Sequence, residues 1–171
     1  MFIDDDKPVA TLCNLKRMSS EKFEELRKNG SRDVLMFHLE REPREVFCLG
    51  ERWLCLHLHL LSGDPSVSQQ LGFLDVGGIE ILHGQEGPSV RFLSPDSVRS
   101  VMRLLEAVDL EKDMGSFEAE VGGQTVSYEG SCRRYVPRTE LAVMQQALKR
   151  ALEANSGICT WKTLVWERSS R

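Results

Sequence analysis

The sequence predicts one α+β domain, within the broad α/β class, with amphipathic helices packed on a small mixed sheet. Three observations lead there. FLSPDSVRSVMRLLEAVD (92–109) has the marks of an amphipathic helix, and a second such helix directly precedes a β-rich run in the C-terminal third. Near the N-terminus, VATLCNL (9–15) reads as a short strand able to pair with that run. The 171 residues, 41% hydrophobic and 28% charged, match one soluble globular domain in size and composition. At this length folding buries roughly 70% of the unfolded surface, enough for a core without staples.

Taken in chain order, the first strand is bounded by Pro8 and by polar residues. Ser19 and Ser20 are then available to cap a helix over 19–29, with Phe23 and Leu26 inward and Asn29–Gly30 as its stop. VLMFHL (34–39) is apolar, short and ambiguous between buried strand and helix, and Pro43 closes it. GIEILHGQEGPSVRFL offers two strand-like pieces broken by Gly84, Gly87 and Pro88. Over 95–108, Ser94 is a credible N-cap, Pro95 suits the first helical position, and Asp96 favours the positive end of the dipole. Val98, Val101, Met102, Leu105 and Val108 recur at the spacing of one buried face. Thr139 is the candidate cap of a helix over 139–155 that aligns Leu141, Met144, Leu148 and Leu152. Asn155–Ser156–Gly157 stops it, and ICTWKTLVW (158–166) follows as a strand.

WLCLHLHLLSGDP (53–65) poses the sharpest choice. As a strand it would set Cys55, His57 and His59 on one face, most of a zinc site. As a helix it turns His57 toward Trp53, one turn earlier, and puts His59 about 160° away around the cylinder. The leucines and the absence of Val, Ile and Thr favour a helix over 51–62, and Ser62–Gly63–Asp64–Pro65 would stop either element. No further ligand stands at a recognisable spacing, so no metal and no cofactor is expected.

The ordered residues Trp53, Leu56, His57, Ser62 and Gly63, then Gly87, Pro88, Leu93, Ser94 and Pro95, resemble the YfbM-like family of unknown function. The likeness runs over roughly 49–114, more loosely over the C-terminal helix and strand, and departs at 31–48. It implies one YfbM-like domain over 1–171 with the Trp53 stretch helical, and it carries no activity across.

Charge and cysteine usage narrow the function. A net charge of −4 argues against a general nucleic-acid binder. No apolar run approaches the roughly 20 residues that span a bilayer. MFIDDDKP is acidic where a signal peptide needs a positive region, so a cytoplasmic protein is expected. Cys13, Cys48, Cys55, Cys132 and Cys159 are odd in number, spread out and free of C-x-x-C, which reads as small buried apolar residues. No nucleophile elbow and no phosphate loop is present.

The remaining features suggest binding. Within 109–120, Asp109, Glu111, Asp113, Glu118 and Glu120 face one Lys112, the pattern of a docking surface for a basic partner. The leading expectation is therefore a non-enzymatic immunity protein that blocks a basic toxin or secreted effector, such as a nuclease. The alternatives are a small-ligand or nucleotide-binding protein using the Gly-rich 77–88 segment and a pocket at Trp53, His57 and Arg91, or an unrecognised hydrolase.

Overall fold

The computed structural model describes residues 8–29, 32–63, 79–80, 90–111, 115–121, 124–128 and 135–166. In chain order these form β1 (Pro8–Met18), α1 (Ser20–Asn29), α2 (Arg32–Glu40), a 3-10 turn (Pro43–Glu45), β2 (Phe47–Gly50) and α3 (Trp53–Gly63). Then come β3 (Ile79–Glu80), β4 (Arg91–Leu93), α4 (Pro95–Ala107), β5 (Phe117–Val121), β6 (Gln124–Tyr128), α5 (Arg138–Glu153) and β7 (Gly157–Trp166). The architecture is α+β, with one five-stranded sheet in the order β2-β1-β7-β4-β3 and a separate β5-β6 ribbon. The expected mixed sheet is corrected in one respect: every described strand pair is antiparallel. The expected partnership of the first and last strands is present, from Pro8 opposite Trp166 to Met18 opposite Gly157.

Alternation along β1 and β7 creates two cores. Cys13, Leu15 and Ile158 face one side, where Trp53, Leu56 and Leu60 of α3, Val98, Val101 and Leu105 of α4, and Met144, Leu148 and Ala151 of α5 close over them. Met18, Cys159 and Trp161 face the other, under Phe23 and Leu26 of α1 and Leu35 and Leu39 of α2. There the Phe23 and Phe92 rings stack, with centroids 4.0 Å apart. Burial of these side chains is the main stabilising term, at roughly 25 cal/mol per Å² of apolar surface.

Local chemistry sets the boundaries. Ser94 Oγ accepts from the Ser97 N–H at 3.3 Å, capping α4 as its sequence implies. Ser19 does the same for α1, accepting from the Lys22 N–H at 3.1 Å. α5 departs from expectation: it begins at Arg138, behind Pro137, and no side chain caps it, so Thr139 is not the cap. Its other end is built on Asn155, whose φ of 49° is left-handed. The Asn155 and Ser156 N–H groups donate back to Leu152 and Ala151, satisfying two end carbonyls. The ambiguous 34–39 run is helical, and it leaves Phe37 71% exposed, so α2 does not bury all its apolar positions.

Gly157 marks a close approach between β7 and β4. A Cβ there would lie 2.4 Å from the Leu93 carbonyl oxygen and 2.5 Å from the Phe92 ring. Cys13, Cys55 and Cys159 are buried as expected, whereas Cys48 is exposed on the edge strand β2, and Cys132 lies outside the described residues. Burial pushes the Cys159 thiol well above the usual range, so it stays protonated and inert. No described helix is long and apolar enough to cross a membrane.

Candidate functional site

α3 supplies the first candidates. It is apolar around nearly its whole circumference, and such a helix buries all its sides. Trp53 and His57 lie one turn apart with ring centroids at 6.1 Å, the predicted juxtaposition, and His57 is 2% exposed. Lys162 of β7 places its ammonium 4.6 Å over the Trp53 ring. Arg91, the third residue of the expected pocket, stands on β4 opposite Thr160, and its Nε has no hydrogen-bond partner among the described residues. Neither described cleft is lined by Trp53, His57 or Arg91. The Gly-rich 77–88 segment lies outside the described residues apart from Ile79–Glu80.

His59 is buried as well, only 6% exposed, although the sequence turns it away from Trp53. It belongs to a polar cluster that joins three helices. Its ring hydrogen-bonds the Tyr135 backbone, and Asp109, just beyond α4, adds a favourable charge. Desolvation outweighs both and holds the imidazole below its ordinary value. The Tyr135 hydroxyl donates to the buried Glu140 carboxylate of α5 at 2.8 Å, and this bond chiefly raises the phenol's pKa. The Arg52 guanidinium lies 4.2 Å over the Tyr135 ring. Arg52 and His59, seven residues apart and so about two helical turns, thus both reach Tyr135. Tyr135 straps α3 to α5. The cluster contains acid–base groups, but the residues hold one another, as a bridge does.

The acidic run divides between this bridge and the surface. Asp109 accepts from the Glu111 N–H at 3.0 Å, and Glu111 pairs with Arg138 at the start of α5. Both carboxylates are exposed, yet each has an internal task. Asp113 lies outside the described residues. Glu118 is exposed on β5 opposite Ser127, whose hydroxyl donates to it at 3.4 Å. Position 120, opposite Thr125, falls on the same ribbon face by strand alternation. β5 itself runs against α3. Sequence reasoning missed Arg52, Tyr135 and Glu140, because their association depends on how α3 and α5 meet.

Fold and cluster together define a small α+β domain with helical layers on both faces of an antiparallel sheet. The chain belongs to the DUF1877 family, described as a domain of unknown function, whose sequence profile matches residues 10–160. It is similar in fold to the crystal structure of YfbM from Escherichia coli, itself titled a protein of unknown function. The two share 16% identity and a TM-score of 0.53 over 89% of this chain and 99% of that one. No curated protein matches the sequence.

Proposed function

We propose that this protein is a cytosolic, non-enzymatic binding domain: an immunity protein that docks on a basic toxin, such as a nuclease, and blocks it. The observation that supports this reading is the outer face of the β5-β6 ribbon. Glu118, Thr125 and Ser127 are exposed there, and position 120 extends the row. The ribbon stands apart from the five-stranded sheet, so a partner can cover it without disturbing either core. Carboxylates in such a row attract a basic surface from a distance and fix its approach. Asp109 and Glu111 are engaged within the chain, which leaves the ribbon as the better contact surface.

The test starts with co-purification from the native host and mass spectrometry of the retained protein. Association with that partner is then measured at two ionic strengths, for the wild type and for a Glu118→Gln/Glu120→Gln variant. The reading expects slower association and a flatter salt dependence in the variant, with thermal stability unchanged. On-rates and salt slopes equal to wild type would refute the ribbon as the interface.

A further inference from the structure

The end of β1 opens into a shallow surface cleft of about 420 Å³ lined by β1, α1, the C-terminal turn of α2 and the turn after α5. Lys16, Arg17, Lys22 and Arg41 line it against two carboxylates, Glu42 and Glu45, with His38 among them. That is the reverse of the chain as a whole, whose net charge is −4. Two of the cations have acidic partners: Arg17 meets Glu45 at 3.1 Å and Lys22 meets Glu25 at 2.9 Å. Lys16 and Arg41 form no ion pair among the described residues. Lys16 is only 5% exposed, and its ammonium donates to the His38 carbonyl at 3.1 Å. That bond to the end of α2 uses one of three N–H donors. A buried ammonium is costly unless its charge is answered. Burial and then Lys22, Lys16 and Arg41 hold His38 below its ordinary value, with Glu25 opposing them.

We propose that this cleft binds the phosphate group of a small phosphorylated compound, with Lys16 and Arg41 as its main ligands and Lys22 and His38 beside them. The four lining cations outnumber the lining carboxylates Glu42 and Glu45, so the cleft favours an anion. Ser19, the cap of α1, lines the same cleft, so the positive end of that helix adds to the field. The volume falls in the range of small-molecule sites, about 300–1,000 Å³, which leaves room for an organic part beyond the phosphate. The proposal shares no residue with the acidic ribbon and stands without the toxin-binding reading.

The experiment titrates the full chain with inorganic phosphate, glucose 6-phosphate and acetate at constant ionic strength. Thermal unfolding and the His38 ring resonances are followed. Glucose 6-phosphate is expected to raise the melting temperature saturably and to shift His38, at concentrations at least tenfold below inorganic phosphate. Acetate should do neither. Arg41→Ser/Lys22→Gln changes solvent-accessible groups and keeps the fold, and it should weaken phosphate binding at least tenfold. Lys16→Met, where it folds, should abolish binding. An acetate response equal to that of the phosphates, or wild-type affinity in Arg41→Ser/Lys22→Gln, would overturn the proposal. Saturation by inorganic phosphate at the same concentration as glucose 6-phosphate would overturn the assignment to an organic compound.

Discussion

The two faces of the five-stranded sheet are built from the same strands to different ends. On the α3–α4–α5 face, β1 presents Cys13 and Leu15 to a broad apolar core. On the α1–α2 face, the alternate residues are Asn14, Lys16 and Met18, and the core narrows toward the cationic cleft. Asn14 there donates to Thr163 of β7 at 2.9 Å, and Lys16 donates to the end of α2. One strand thus presents apolar residues to one side and Asn14 and Lys16, followed by the packed Met18, to the other, one residue out of phase. The comparison teaches that each face carries its own apolar core, and that only the second also gathers cations at its edge.

Mutations break the comparison in graded steps. On the first face, Trp53→Ala removes a buried indole beside Leu56, His57 and Lys162, and should cost about 3–5 kcal/mol in a denaturant titration. On the second, Gly157→Ala forces a methyl into the Leu93 carbonyl and a Phe92 ring already stacked on Phe23. The backbone oxygen cannot swing aside, so a loss of about 3 kcal/mol is expected, at the upper end for overpacking. Tyr135→Phe strips the Glu140 carboxylate of its hydroxyl donor and should lower stability by less than either of these, in the same measurement.

A pH series sharpens the contrast. His38 on the second face and His59 on the first both titrate below their ordinary value of 6.5 in the folded protein. Each binds its proton more readily in the unfolded chain, so acid favours unfolding. Their contribution is complete above pH 6.5 and is lost as pH falls from there through the folded values. The melting temperature should therefore be lower at pH 5.5 than at pH 7.5. His38→Gln and His59→Gln should each reduce the difference. The smallest effect belongs to the ribbon: Glu118→Gln/Glu120→Gln should leave stability within about 0.5 kcal/mol of wild type by thermal melting.

What the sequence discloses follows the range of the interactions involved. α4 is legible because Ser94, Pro95 and the Val98–Val101–Leu105 spacing are all local signals. The stop at Asn155 is legible for the same reason, as a residue that tolerates a left-handed backbone. β2 escapes notice since four residues with an exposed Cys48 carry too little alternation. The β5-β6 ribbon was readable in principle: Phe117, Ala119 and Val121 alternate with Glu118 and Glu120, and Gly122–Gly123 is a hairpin signal. The same letters also form an acidic run, and that pattern masks the period of two. His59 is a different failure. Leu54, Cys55 and Leu58 leave α3 no polar side, which implies burial all round rather than one inward stripe. The cationic cleft had no signal, because Lys16, Lys22, His38 and Arg41 come from separate segments and match no motif.

The position of β7 between β1 and β4 bears on how the chain folds. Without Gly157–Trp166, β2-β1 and β4-β3 are two fragments that share no strand pairing among the described residues. Pairing β1 with β7 closes most of the polypeptide into one loop, a large entropic step that precedes any reward from the sheet. Insertion of β7 between β1 and β4 therefore gives both helical layers the strand they share in a single step.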